Sequence, residues 1–294
     1  MDAKPAIKPI RGMQLLMICA LLDASVGMLI KLLPWNPFVI AGCRSALAVL
    51  VLYGYYKRLG IKVRFSRNSI LAGFMISAMF ITFITATTLT SASNAVALQY
   101  TNPLFIVILS FFIYRQKPSR LDILSVAGVL LGIILIFGGA FGIGGMTGNI
   151  LALISAVSLA GMFMFINHVK DPAESYGALI SGHIITFFVS IWFIFTYPPV
   201  LNANTVLYIL ILGLLQQGVG NIFYAYAIRA CKPLTCSIIL MTQLVLNPIL
   251  VYLFVGEKPA VLEILGCVVI FIVSATVVIL NMKANKEEVE EAKN

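Results

Sequence analysis

Two ionisable side chains near the N-terminus lie inside long apolar runs, where such groups need a partner or water. Asp23 is at the centre of residues 13–33, and Arg44 lies well inside residues 37–56. An ionised carboxylate or guanidinium that faced lipid would be costly, so each is a candidate functional group. A buried carboxylate can bind a cationic group or a proton, and a guanidinium can bind a carboxylate with its planar fork.

The two apolar runs are long enough to cross a lipid bilayer. About 20 residues at ~1.5 Å each span the ~30 Å hydrocarbon core. The runs are antiparallel, and residue counting puts Asp23 about 15 Å and Arg44 about 11 Å from the same membrane surface. The two side chains can therefore meet. Two interpretations of the pair stay open: a salt bridge that only fixes helix packing, and a site that binds a ligand.

Other polar side chains share helical faces in later runs. Gln217, Asn221 and Tyr224 follow the spacing i, i+4 and i+7, and His183 lies at the depth of Arg44 in the second half of the chain. Buried amides can join helices or line a cavity, and a histidine can pack or titrate in a proton-linked cycle. The candidate residues for substrate binding or coupling are Asp23, Arg44, Asn94, Gln99, His183, Gln217, Asn221, Tyr224 and Gln243.

The composition is that of an integral membrane protein. Of the 294 residues 61% are hydrophobic and 11% charged, and the mean hydropathy is +1.02. A soluble domain carries about 25% charged residues. The net charge of +9 does not indicate a nucleic-acid partner, because the Lys and Arg residues stand in short loops between apolar runs.

The chain divides into ten apolar runs, which predicts an all-α protein with ten transmembrane helices. With a cytoplasmic N-terminus, the 20 Lys and Arg residues fall on the cytoplasmic side except Lys31, Arg44 and Lys258. This bias predicts the inner or plasma membrane with both termini cytoplasmic. The predicted spans are residues 13–33, 37–56, 70–90, 91–114, 121–140, 149–168, 176–196, 205–228, 235–255 and 260–281.

The two halves of the chain resemble each other. At an offset of 141, Leu121-Asp122 falls on Leu262-Glu263 and Gln116 falls on Glu257; at 139, Arg44 falls on His183. Five spans per repeat is an odd number, so the two repeats are inserted with opposite orientation, which places a site near the membrane midplane. The predicted divisions are a tail at 1–12, repeats at 13–140 and 149–281, a glycine-rich link at 141–148, and a solvated or frayed tail at 282–294.

No motif predicts a cofactor, a metal or a catalytic nucleophile. The glycines of 138–148 fit no phosphate-binding loop, and the cysteines have no metal-site spacing. An intramembrane enzyme that uses Asp23 and His183 would require these groups to converge within hydrogen-bond reach. That enzyme, and a receptor or scaffold that does not transport, are the alternatives to a transporter. Pro103 and Pro248 each interrupt a span, which allows bending or ligation there.

Three stretches carry a family resemblance, namely LIKLLPWNPFVIAGCRSALAVLVL, TSASNAVALQYTNPLFIVILSFFIYRQKPS and QLVLNPILVYLFVGEKPAVLEILGCVVI. They resemble the drug/metabolite transporter superfamily, in particular its ten-span carriers with two EamA-type domains. The resemblance implies secondary transport of small metabolites, often amino acids or amines, by alternating access through a central cavity, with the fifth and tenth spans peripheral. The Arg of the family's second span maps to Arg44, and its late Gly-Glu maps to Gly256 and Glu257.

Two positions depart from the family's pattern. Asp23 stands where the family commonly has Trp, and Gln116 stands where an acidic residue is expected. We therefore expect a secondary transporter of a small polar metabolite, such as an amino acid, an amine or a related cationic or zwitterionic solute. Its partners are the solute and membrane lipid. The sequence leaves open whether transport is coupled to a proton or to a counter-substrate. It also leaves open whether the protein is a monomer or a homodimer.

Overall fold

The computed structural model describes residues 9–115, 120–140, 145–167, 171–224, 239–240 and 243–291, and all regular structure in these ranges is helical. The all-α prediction is confirmed. The elements are α1 (Pro9–Leu32), α2 (Pro37–Arg58), α3 (Arg67–Leu89), α4 (Ala92–Gln99), α5 (Asn102–Tyr114), α6 (Arg120–Ala140), α7 (Met146–Asn167), α8 (Pro172–Thr196), α9 (Ala203–Leu210), a π-helical segment (Ile211–Val219), α10 (Gln243–Val255) and α11 (Val261–Glu291).

The described helices are roughly consistent with the ten predicted spans. In the described part of the chain seven helical stretches are long and apolar enough to cross a membrane. Three shorter apolar stretches, Val126–Ile136, Gln243–Val255 and Val261–Val273, correspond to the fifth, ninth and tenth spans. Parts of the eighth and ninth predicted spans, with Cys231 and Cys236, lie outside the described residues.

Polar side chains set the starts of several helices. Asn36 accepts a hydrogen bond of 2.9 Å from the amide of Phe38 at the start of α2. Ser66 and Ser91 cap α3 and α4 in the same manner. Such caps satisfy backbone N–H groups that have no partner within the helix. They allow the sharp turn between α3 and α4 that the sequence predicts.

The fourth span is broken near its middle. The helix α4 ends at Gln99, and α5 begins at Asn102, directly before Pro103. The interruption that the sequence predicts at this proline is therefore present. Proline is tolerated in the first turn of a helix, because the N–H groups there have no intrahelical partner. Tyr100 and Thr101 form the link between the two halves of the span.

A π-helical segment within the eighth span was not predicted. It runs from Ile211 to Val219. Such segments are rare in proteins, and those that occur are often found at functional sites. Gly213 and Gly218 lie against α2, where an added Cβ would come within 2.5 Å of Leu47 and 2.8 Å of Val51. These glycines let the segment approach α2 closely.

The tail predicted at 282–294 as solvated or frayed is helical over residues 282–291. The helix α11 continues without a break to Glu291. The stretch is rich in Lys, Glu and Ala, which are strong helix formers, and it extends a helix that already exists. Propagation from an existing helix avoids the cost of nucleation.

The packing of the helices repeats between the two halves of the chain. The second span, α2, packs on the eighth, and the seventh, α8, packs on the third, α3. Likewise α1 packs on α10, as α7 packs on α4 and α5. Each of these contacts between a span of the first half and a span of the second half therefore has a counterpart in which the two corresponding spans are exchanged. The chain path makes the two halves start at opposite membrane surfaces, which is the arrangement of an inverted repeat.

The fifth and tenth spans pack against each other at the edge of the bundle. Gly128 of α6 lies against Val273, and an added Cβ at Gly132 would stand 2.5 Å from Ile270 and 3.1 Å from the carbonyl of Gly266. The small residues of this GxxxG motif therefore serve packing within the chain.

The turns between helices lie at two opposite surfaces, which we call the Glu257 face and the Arg64 face. The Glu257 face carries residues 33–36, 90–91, 197–202 and 256–260, and the Arg64 face carries residues 59–66 and 171. The indole of Trp35 donates to the carbonyl of Val200 over 3.0 Å within the Glu257 face. The main apolar core, which includes Leu29, Ile30, Val39, Ile40 and Ile84, lies in the half of the bundle nearest this face.

Candidate functional site

Asp23 contacts the second half of the chain in the interior of the bundle. Its carboxylate accepts a hydrogen bond of 2.8 Å from the side-chain amide of Gln216. Gln216 is buried in the π-helical segment, and Asp23 is half-buried in α1. A carboxylate that is held by one donor and still partly accessible keeps acceptor capacity for a second partner.

Arg44 is buried beside Asp23 and is held by the next residue of the same segment. Its side chain is 5% exposed, and its Nη2 donates to the side-chain oxygen of Gln217. Nε and Nη1 have no acceptor among the described residues. Two donors of a buried guanidinium are thus available to an acceptor that the protein does not supply.

The direct salt bridge between Asp23 and Arg44 is not formed. Among the described residues the two ion pairs are Lys31–Glu257 and Arg64–Asp171. Asp23 and Arg44 still interact electrostatically, but adjacent amides of the π-helical segment hold each of them. The packing alternative, in which the two charges neutralise each other in contact, was wrong in this respect.

His183 and Arg44 share one aromatic neighbour. The guanidinium carbon of Arg44 lies 5.4 Å from the ring centroid of Phe80, and the imidazole of His183 stacks on the same ring at 5.0 Å. Both nitrogens of His183 lack a hydrogen-bond partner among the described residues. Phe80 therefore contacts both of the residues that the repeat relates, and a cation–π contact supports Arg44.

Gln243 and Tyr100 join the ninth span to the break in the fourth. The amide of Gln243 donates to the hydroxyl of Tyr100. This hydroxyl also interacts electrostatically with Asp23 and Tyr224. The Tyr100 hydroxyl therefore links Gln243 to the surroundings of the carboxylate. Tyr224 is 39% exposed and is the last residue described in the eighth span.

The remaining predicted residues have other partners or none that the structure shows. Asn94 is fully buried and donates to Glu263 of α11 over 2.8 Å. Asn221 donates to the backbone carbonyl of Gln217 over 2.6 Å. Gln99 is half-buried at the end of α4. Asn94 thus connects two helices, and Asn221 is satisfied within its own helix.

Gln216, Phe80 and Tyr100 were not among the predicted site residues. A stripe drawn at the α-helical period selects Gln217, whereas the wider π-helical turn brings Gln216 and Gln217 to Asp23 and Arg44 together. In the sequence, nothing distinguishes Phe80 from the other apolar residues of its span. Only the pair of adjacent glutamines in an apolar run was a signal that the sequence offers.

An apolar groove lies apart from this site, and the described residues contain no metal-binding cluster. No group of three or more His, Cys, Asp or Glu side chains among these residues could hold a metal ion. A groove of about 530 Å³ between α10 and α11 is lined by apolar side chains such as Val245, Ile249 and Phe271, with Lys258 at one end. Several of its lining residues are exposed on the lipid-facing surface.

Comparisons with known proteins agree with this architecture. A model of the EamA-like transporter family matches residues 10–138 and again residues 146–279. A protein of Clostridium kluyveri described as an uncharacterized transporter is 32% identical over 215 residues, which are 69% of this chain and 67% of that protein. One solved crystal structure superposes with a TM-score of 0.63 over 93% of this chain and 98% of its own, at 18% identity, which shows a shared fold. This multi-pass membrane protein belongs to the EamA-like transporter family.

Proposed function

We propose that this transporter is a secondary carrier that moves a small cationic or zwitterionic metabolite by alternating access between its two repeats. Asp23 binds the cationic group, and Arg44 binds a carboxylate where the solute has one. The observation that carries the proposal is a pair of neighbouring opposite charges that do not form a salt bridge with each other. Gln216 holds Asp23, and Gln217 holds Arg44. Such an arrangement leaves both charges with unused hydrogen-bonding capacity.

The repeat architecture supports a site at this position. Asp23 and Arg44 belong to the first repeat, whereas Gln216, Gln217 and Gln243 belong to the second. In carriers with inverted repeats the substrate lies where the repeats meet, so that rocking of one repeat exposes it to either side. A cationic solute at Asp23 would contact both repeats.

The charge distribution supports a cytoplasmic Arg64 face in the inner or plasma membrane. Five basic residues, Lys57, Arg58, Lys62, Arg64 and Arg67, stand in or beside the turn between α2 and α3. The Glu257 face has Lys31 and Lys258. Cytoplasmic loops carry the excess of basic residues in membrane proteins.

Uptake into proteoliposomes tests the proposed function. The purified protein is reconstituted and supplied with radiolabelled lysine, putrescine or alanine, which represent a cationic amino acid, a diamine and a zwitterion. We expect uptake above that of protein-free liposomes for at least one probe, and faster uptake when the same unlabelled solute is preloaded inside, because exchange is a property of carriers. Uptake at the protein-free level for cationic and zwitterionic probes alike would contradict the proposal.

A further inference from the structure

Among the described residues, two ion pairs join the repeats, one at each face of the bundle. Lys31 belongs to the first repeat and Glu257 to the second, and they meet at 3.6 Å on the Glu257 face. Arg64 and Asp171 also come from different repeats, and they meet at 3.0 Å on the Arg64 face. Each ion pair therefore joins the two repeats at one face.

The first contact, which we call the Glu257 latch, joins three elements. The Lys31 Nζ atom donates to the carbonyl of Thr90 over 2.7 Å as well as contacting Glu257. The carboxylate of Glu257 also accepts a hydrogen bond from the backbone amide of Ala92. That amide is in the first turn of α4 and has no acceptor within its own helix. Gly256, with φ of +76°, makes the turn that presents Glu257.

The second contact, which we call the Arg64 latch, combines a salt bridge with a backbone contact. The amide of Arg64 donates to the carbonyl of Ala173 over 3.0 Å. A Cβ added at Gly177 would lie 2.0 Å from the carbonyl oxygen of Arg64, so the turn between α2 and α3 rests directly on α8. Asp171 also caps α8 through the amide of Ala173, over 2.9 Å.

We propose that the Glu257 latch and the Arg64 latch are the two gates of the carrier, one for each face. The inference rests on the proposed alternating access. Both ion pairs are formed in this structure. Both ion pairs are partly exposed, with side-chain exposures of 21% and 23% in one and 64% and 36% in the other. Partly exposed pairs are weak, so thermal motion can open them in every cycle.

The accessibility of the central site from each face tests this inference without any substrate. A cysteine placed by Asp23→Cys is labelled with a membrane-impermeant methanethiosulfonate applied to one side of sealed vesicles, and its labelling is followed by mass spectrometry of the peptide. The side that carries Glu257 is identified by labelling Lys258→Cys in parallel. Peptide-level detection separates the introduced cysteine from the native ones.

Charge reversal at each latch is the decisive variant. Glu257→Lys replaces the attraction by a repulsion of similar size, and we expect labelling from the Glu257 face to rise by about two- to thirtyfold. Arg64→Glu is expected to raise labelling from the Arg64 face by a similar factor. Adding Lys31→Glu to Glu257→Lys restores the ion pair in reverse and should return slow labelling. Lys258→Glu, a charge reversal at an exposed neighbour of Glu257, is the matched control and should change neither rate.

The outcomes separate the gates from the transport proposal. Labelling that stays unchanged in both variants, or that rises equally from both sides, would overturn the gate assignment, because general loosening has no sidedness. A protein that shows side-specific labelling but takes up no probe would retain its gates and lose the proposed substrate class. A protein that transports a probe without side-specific labelling would lose only the gates.

Discussion

The side-chain amide of Gln216 donates to the carboxylate of Asp23 over 2.8 Å, and this contact connects the two repeats in the interior of the bundle. The next residue, Gln217, accepts from Arg44. One short π-helical segment thus holds both charges of the candidate site. The two neighbouring glutamines therefore have different roles: Gln216 donates to the carboxylate, and Gln217 accepts from the guanidinium.

Gln216→Leu should impair substrate affinity more than stability. The substitution removes the donor that orients Asp23, while the half-buried carboxylate can still contact water. We expect KM for a cationic probe to rise by about two- to tenfold with kcat little changed, since a hydrogen bond contributes about 0.5–1.5 kcal/mol. Concentration-dependent uptake into proteoliposomes measures this. An unchanged KM would show that Gln216 does not position Asp23 for binding.

Gln217→Leu should impair stability more than Gln216→Leu does. Arg44 is buried, and Gln217 is the acceptor that the described residues offer it. Loss of a hydrogen bond to a charged group costs about 1.5–3 kcal/mol in the free energy of unfolding. Thermal unfolding in detergent compares the two variants directly. Equal unfolding temperatures would mean that Arg44 finds another acceptor.

His183→Phe should preserve both stability and the pH dependence of uptake. The imidazole stacks on Phe80, and neither nitrogen has a partner among the described residues. An aromatic ring of similar size keeps this stacking, whereas His183→Ala would leave a cavity that costs about 3 kcal/mol. Uptake between pH 5.5 and 8 is the measurement. A flattened profile in His183→Phe would show that His183 titrates in the transport cycle.

Much of this architecture follows from local properties of the sequence, and the central site does not. Hydropathy and the basic turns locate the spans, because each span is constrained by the bilayer alone. The change to π-helical geometry at Ile211–Val219 depends on how α2 packs against Gly213 and Gly218. The partner of Asp23 therefore depends on tertiary packing. Asp23 and Arg44 were expected to be able to meet, and the structure brings them close without a salt bridge.

Gly132→Leu should destabilise the contact between the fifth and tenth spans. An added Cβ would lie 2.5 Å from Ile270 and 3.1 Å from the carbonyl of Gly266, so even a small side chain forces the helices apart. Overpacking of this kind costs about 1–3 kcal/mol. Gly54→Ala in α2 is the matched control, because no atom lies within 4 Å of its added Cβ. Unfolding temperatures that fall equally in both variants would contradict this packing.

The Glu257 latch should close more tightly as the pH falls. Burial raises the pKa of Glu257 above its ordinary value, and the nearby Glu263 adds to the rise, while Lys31 and the amide of Ala92 oppose it. A carboxyl group with a raised pKa in the closed state binds its proton more tightly there than in the open state. Acidification therefore stabilises the closed face, and this stabilisation is lost as the pH rises through the raised pKa.

The labelling of Asp23→Cys from the Glu257 face measures this pH dependence. We expect slower labelling as the pH falls from 7 to 5. The reactivity of a thiol itself depends on pH, and labelling of an exposed cysteine such as Lys258→Cys corrects for this. Glu257→Gln has no titratable side chain at this position, so its labelling should no longer vary with pH. A pH dependence that persists in Glu257→Gln would assign it to another group.

Uptake of a cationic probe by Asp23→Asn proteoliposomes tests the central claim most directly. Asn keeps the size of Asp23 and removes its charge, while Glu291→Gln removes a carboxylate at the C-terminal end of α11 as the matched control. We predict that Asp23→Asn inserts normally but loses at least about tenfold in uptake, the equivalent of 1.4 kcal/mol, and that Glu291→Gln transports like the unmodified protein. Full uptake by Asp23→Asn would show that this carboxylate does not bind the transported cation.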